Sequence, residues 1–330
     1  MKKVLSIVLA LAVCISCCAM LTACGEKTDG NDAQTAKKYK IGICQLVEHV
    51  ALDAATEGFK QAIIDAFGAD AVEFDLQNGQ GDPATCSTIA NQFVSNKVDL
   101  IMANATPALQ SCAAATAEIP ILGTSVTEYG VALEIKDFNG TVGGNISGTS
   151  DLAPLDKQAE MITAWCPDAK NVGLLYCSKE ANSQYQVDVI KAELEKKGIT
   201  VTMYPFTDSN DLAQICTTAA DNCDAIYVPT DNTAAENTGI IDNICEPKKI
   251  PVIVGEEGIC SGCGIATLSI SYYDLGYTTG KMAVKILKGE AKIAEMPIEY
   301  AEKQTPKYNK QNCEALGITA LEGYTAIETK

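Results

Sequence analysis

The chain has 330 residues, 47% of them hydrophobic and 20% charged, which is the composition of a globular protein. Its 25 basic and 42 acidic residues leave a net charge of −17, which argues against nucleic acid as a partner and against adsorption on anionic lipid. All the basic residues are lysine, so no guanidinium fork is available to clamp a carboxylate. Any anionic group has to be held by backbone N–H groups, hydroxyls, helix N-termini or a lysine.

Met1-Lys2-Lys3 is a basic start, and residues 4–20 form an uninterrupted apolar and small run, the pattern of an export signal. The run closes in Leu21-Thr22-Ala23-Cys24-Gly25, which resembles the lipobox of bacterial lipoproteins; Cys24 would then be lipidated and become the mature N-terminus. An uncleaved membrane anchor is the alternative, but the apolar run is short for a bilayer. Either reading places the body outside the cytoplasm. Residues 1–23 are thus read as the signal and 24–38 as a polar, disordered tether.

Of fifteen cysteines, four lie at or before Cys24, and the eleven left in the body cannot all pair with one another. Cys44, Cys86, Cys216 and Cys245 fall on core-facing positions, where cysteine acts as a small hydrophobe. The local pair Cys260-Ser261-Gly262-Cys263 is expected in a Gly-rich turn, as a short disulfide or as free thiols. One histidine in the whole chain, His49, makes a zinc site unexpected.

From residue 39 onwards strands and helices alternate. An apolar strand ends at Gln45 and runs through Glu48 and His49 into a helix that places Ala55, Phe59, Ala62 and Ile63 on one face. Strands follow at 70–76, 98–102 and 119–122, separated by helices, one opened by Asp82-Pro83 as cap and first-turn proline. The pattern restarts with a strand at 141–146, and further strands are expected at 171–176, 200–204, 224–228 and 250–254. A helix over 273–287, a strand near 297–300 and a short final helix complete the chain. Short links between parallel strands imply two doubly wound α/β lobes with helices on both faces.

The halves echo one another. Residues 96–102 align with 221–227 and residues 119–125 with 250–256, which sets Thr106 opposite Asp231, Ser125 opposite Glu256 and Gln45 opposite Tyr176. Two such lobes present their strand ends to a shared cleft, where open α/β sheets bind ligands.

Val47-Glu48-His49 with Ala51-Leu52-Asp53, Gly123-Thr124-Ser125-Val126-Thr127, residues 143–151 (GGNISGTSD), Glu180-Ala181-Asn182-Ser183, Pro229-Thr230-Asp231-Asn232, Gly255-Glu256 and Tyr272-Tyr273-Asp274-Leu275-Gly276 together resemble the ABC-transporter substrate-binding lipoproteins of the tryptophan/tyrosine type. Val50 departs from the family, which usually has proline there. The resemblance implies a type I periplasmic-binding-protein architecture with a three-crossover hinge. It assigns residues 39–126 and 272–296 to the first lobe and 127–271 and 297–330 to the second. It also implies a monomeric carrier that delivers an amino acid, aromatic in the members with an assigned ligand, to a membrane permease. Alternatives within the same fold are a branched-chain amino acid, a nucleoside, a sugar, or a sensory role.

Cleft geometry then nominates residues. Asp231 or Glu256 is expected to meet a ligand ammonium, and Thr124, Ser125 and Ser150 to hold its carboxylate. Thr106, Ser178, Asn182, Ser183 and Asn232 are expected in the polar shell, Tyr176 and Tyr273 with Leu46 beside an aromatic ring, and Glu48 and His49 on one lip. An enzyme is the competing class. No nucleophile elbow, phosphate loop or dinucleotide fingerprint is present, so neither catalysis nor a cofactor is expected.

Overall fold

The computed structural model describes residues 38–301 and 303–328; the expected signal, Cys24 and nearly all of the tether lie outside them. No helix among the described residues is long and apolar enough to cross a membrane. In chain order the first elements are β1 (Tyr39–Gln45), α1 (Val50–Phe67), β2 (Val72–Asn78), α2 (Pro83–Asn96), β3 (Leu100–Asn104), α3 (Thr106–Ala115), β4 (Ile121–Val126), α4 (Tyr129–Ala132) and β5 (Ile146–Ser150). The second set is α5 (Leu155–Trp165), β6 (Asn171–Cys177), α6 (Ala181–Lys196), β7 (Thr200–Phe206), α7 (Ser209–Asn222), β8 (Ala225–Val228), α8 (Asn232–Glu236), α9 (Thr238–Cys245), β9 (Val252–Val254), α10 (Glu257–Gly262) and β10 (Ala266–Ser269). The chain ends with α11 (Tyr272–Leu287), β11 (Glu299–Tyr300), β12 (Thr305–Tyr308), α12 (Lys310–Leu316) and β13 (Thr325–Ala326).

Two sheets result, ordered β11-β5-β4-β3-β1-β2 and β13-β12-β10-β9-β8-β6-β7. The stretch β4-β3-β1-β2 repeats as β9-β8-β6-β7, the internal echo expected from sequence. All pairings are parallel except β10 with β12. Buried strand residues such as Ile41, Ile43, Leu100 and Met102 meet Phe59, Ile63 and Met282 under one face of the first sheet. Phe93, Leu109 and Tyr129 lie under its other face. Burial on both faces explains why these strands read as continuous apolar runs.

The lobe limits differ from the expected ones. Residues 141–145 form a loop, with Gly143 and Gly144 at positive φ, and β5 begins only at Ile146. It lies in the first sheet beside β4, Ile121 opposite Ile146, and β11 joins the same sheet through β5. The first lobe therefore runs past residue 126, to Ser150, and takes 299–300 as well. The polar sequence of β5 had hidden it: Ser147 donates to the Met296 carbonyl at 3.0 Å, and the Thr149 hydroxyl lies 3.2 and 2.8 Å from those of Thr124 and Thr279. Interior hydrogen bonds let these side chains be buried.

Helix α11 returns to the first lobe and lies along α1 at very close range. A Cβ on Gly58 would fall 2.0 Å from the Tyr273 carbonyl oxygen, and one on Gly276 would fall 1.9 Å from that of Ala55. The chain crosses between lobes at 151–154 and 270–271, and passes from the first sheet to the second again between β11 and β12. Two crossovers are tied together where the Tyr272 hydroxyl donates to Asp151 Oδ2 at 2.9 Å.

The CxxC pair is also placed differently from expectation. Cys260 lies inside α10 and Cys263 caps its C-terminus, and all eleven described cysteines are buried and free of disulfides.

Candidate functional site

Where the strand ends of the two sheets face each other, a narrow pocket of about 10 Å³ lies between the lobes. That is room for about one water molecule, so the lobes have to part to admit a solute. The first lobe supplies His49, Leu52, Ser125 and Thr127, the crossovers supply Asp151 and Tyr272, and the second lobe supplies Asn182, Thr230, Asp231, Asn232, Ala235 and Glu256.

Strand-to-helix junctions aim these groups. His49 is the last extended residue before α1, and its Nε2 lies 3.3 Å from Asn232 Oδ1 across the cleft. Burial lowers its pKa, so the ring is neutral near pH 7. Asp231 caps α8: its carboxylate accepts from Ala234 N at 2.8 Å and from Cys177 N at 2.6 Å. Glu256 caps α10, accepting from Gly258 N at 2.6 Å and from Ile259 N. Burial pushes Glu256 up to about 7 and raises Asp231 as well, with the Glu180 carboxylate adding to the effect on Asp231 and the backbone N–H groups opposing it. Glu180 is itself buried and binds Asn232 and Thr233 from outside α8.

Three lining side chains carry a buried polar atom without a partner among the described residues: Ser125 Oγ, Asp151 Oδ1 and Asn182 Oδ1. Buried polar atoms are nearly always satisfied, so these three are free to bond a group that enters the pocket. Ser125 also holds φ +53, a conformation unfavourable without glycine, and Ala105 on the adjacent strand end holds φ +86. Strain of this kind persists where surrounding structure enforces it, commonly at binding sites.

Among the residues nominated from sequence, His49, Ser125, Asn182, Asp231, Asn232 and Glu256 line the pocket. The others have different surroundings. Glu48 is exposed beside a shallow groove with Gln45, Asp53 and Leu76. Thr106 is buried at the start of α3, and Thr124 is bonded to Thr149 inside the sheet. Ser150 donates to the Thr127 carbonyl at 2.7 Å, and Ser178 to that of Phe206 at 3.0 Å. Ser183 is fully buried behind Asn182, Tyr176 belongs to the core of the second lobe, and Tyr273 is exposed on α11, stacked on Tyr277. Leu46 lines a wider groove that shares Asn232 with the pocket. Sequence reasoning passed over Asp151, Thr127, Thr230 and Tyr272. The position of Asp151, directly after a strand and at the head of a crossover, was the signal available for it.

Two similar α/β lobes on a three-strand hinge, closed over a polar pocket, define a two-lobed solute-binding protein. The sequence matches the family described as ABC transporter substrate binding protein over residues 40–328. A protein of Clostridioides difficile strain R20291 named tyrosine-binding protein is 36% identical over 97% of this chain and 94% of its own length. A solved domain from Streptococcus pneumonia in complex with L-Trp is 35% identical, with TM-score 0.83, over 88% of this chain and 100% of that one. A ligand-free, open substrate-binding protein from Clostridium difficile is 38% identical over the same share of this chain and the whole of its own, but its TM-score is 0.67. The chain belongs to the ABC-transporter substrate-binding family, whose members work outside the cytoplasm. The chain superposes more closely on the ligand-bound relative than on the ligand-free, open one, and His49 of the first lobe contacts Asn232 of the second.

Proposed function

We propose that this protein captures an aromatic L-amino acid between its lobes and hands it to an ABC permease, acting as a monomer tethered by lipid on Cys24 at the outer face of the membrane. The observation that carries the ligand class is the set of unpartnered atoms in the pocket. Two acceptors, Asp151 Oδ1 and Asn182 Oδ1, suit an ammonium group, and the Ser125 hydroxyl is a donor for a carboxylate. A hydroxyl is one of the anion holders left to a chain without arginine. Leu52, Ala235 and the Tyr272 ring offer apolar surface to a side chain. The relatives named for tyrosine and bound to L-Trp support the aromatic class.

Because the pocket draws groups from both lobes, ligand binds the closed state better than the open one and shifts the population toward it. A thermal-shift panel of the twenty amino acids with nucleosides and sugars tests the reading. A ligand at about 100 times its dissociation constant adds about 2.7 kcal/mol of apparent stability. Stabilisation by tyrosine, tryptophan or phenylalanine is expected; stabilisation only by a sugar or nucleoside would overturn the ligand class and leave the family intact.

A further inference from the structure

The pocket holds far more negative than positive charge. Asp151, Asp231 and Glu256 all line it and are only 5%, 1% and 3% exposed. No described lysine lines it, and the chain has no arginine. The surrounding elements do not restore the balance. Glu180 lies beside Asp231, and Glu180 and Asp53 both lie near His49, the titratable group that the first lobe brings to the pocket. Glu257 follows Glu256 on α10, and Lys307 of β12 is engaged by that Glu257 at 2.7 Å. A bound amino acid brings one ammonium, and its own carboxylate cancels that charge. Closure over a zwitterion therefore leaves at least two carboxylates enclosed without a countercharge.

We propose that ligand capture is coupled to proton uptake: Asp151 stays ionised as the partner of the ammonium, while Asp231 and Glu256 each become partly protonated on closure. This inference rests on the amino-acid reading of the same pocket. Opening the hinge lets water reach the pocket face of both groups, which favours their ionised forms. Closure removes that water and favours the neutral form. With Glu256 pushed up to about 7 and Asp231 raised by the same cause, each carboxyl is partly protonated at pH 7 when enclosed and ionised when exposed. His49 works in the opposite sense, because burial lowers its pKa. An imidazole of ordinary pKa ~6.5 is only about one quarter charged at pH 7, so its release offsets little of the uptake.

The sign follows from linkage. Carboxyls raised in the closed state favour that state at low pH, and the advantage is lost as pH rises through about 7. A net uptake of about half to one proton corresponds to affinity weakening about three- to tenfold between pH 6.5 and 7.5.

Calorimetric titration of the full chain with L-tyrosine and with L-tryptophan at pH 7.0, in phosphate and in Tris, reads the uptake directly, because these buffers differ widely in ionisation enthalpy. A less favourable enthalpy in Tris, matching about half a proton or more per ligand, is the expected result. Glu256→Gln and Asp231→Asn should each lower that proton number. Binding with equal enthalpy in both buffers would overturn the coupling while leaving the amino-acid reading in place. Failure of both amino acids to bind would remove that reading and this one with it. The wild-type comparison decides the matter even if a variant does not fold.

Discussion

Replacing Asp151 by asparagine isolates one charge at the point where ligand and hinge meet. The residue is buried, with Oδ2 accepting from Tyr272 and Oδ1 facing the pocket unpartnered. Asparagine keeps an acceptor for the Tyr272 hydroxyl and nearly the same volume, so the hinge contact survives while the countercharge to an ammonium disappears. A hydrogen bond involving a charged partner contributes about 1.5–3 kcal/mol. At about 1.4 kcal/mol per tenfold, Asp151→Asn should weaken binding of the aromatic amino acid by about ten- to one-hundred-fold. Its melting temperature without ligand should not fall, since burial disfavours the charge that the substitution removes. Asp151→Ala, by contrast, leaves the buried Tyr272 hydroxyl without its acceptor and should lower stability by about 1–3 kcal/mol. Calorimetry paired with thermal melts separates these effects. If Asp151→Asn bound within about threefold of wild type, the assignment of the ammonium to this carboxylate would be wrong.

Other expectations follow from the same geometry. His49→Ala removes a neutral cross-lobe hydrogen bond worth about 0.5–1.5 kcal/mol, so affinity should fall by about two- to tenfold and small-angle scattering should report a more open ligand-free protein; unchanged scattering and affinity would remove His49 from lobe closure. Gly276→Ala drives a methyl group against the Ala55 carbonyl and should cost about 1–3 kcal/mol of stability despite the better helix propensity of alanine. A melting temperature equal to wild type would show that α1 and α11 separate freely. The buried thiols should be inert in the native state, as burial raises Cys166 and Cys177 to about 12 and reactivity needs the thiolate. Brief N-ethylmaleimide treatment with peptide mapping should find none of the eleven described cysteines modified before denaturation and all of them after.

How much of this was legible beforehand varied with the kind of signal. Apolar runs of strand length announced β1, β3, β4, β8 and β9 to within a few residues, because both faces of each strand are covered. Asp82-Pro83 announced a helix start, and Asp82 does accept from Ala84 and Thr85 N. At β5 the same approach failed. Its Ser147, Thr149 and Ser150 read as loop, and only bonds to residues far along the chain make their burial tolerable. That error moved the lobe limit and placed Asp151 in a loop leading to a helix, which concealed its position in the pocket. Tyr176 and Tyr273 failed differently: aromatic identity does not say which face of a strand or helix meets the cleft. Tyr272, one position away on α11, points in, and Tyr273 points out to solvent.

By itself the sequence determined the alternation of elements, the repeat of one half in the other, and the lack of any guanidinium for binding an anion. Those are properties of local spacing and of composition, and they hold whatever the lobes do. Tertiary structure decided which strand ends face each other and how tightly. Residues 49, 125, 151, 182, 231 and 256 line one pocket although they are spread over more than two hundred positions, because sheet order fixes which loops share an edge and closure of the hinge sets the distance between them. The burial that leaves Asp151, Asp231 and Glu256 short of countercharge exists only once both lobes are in place, so no stretch of the chain records it.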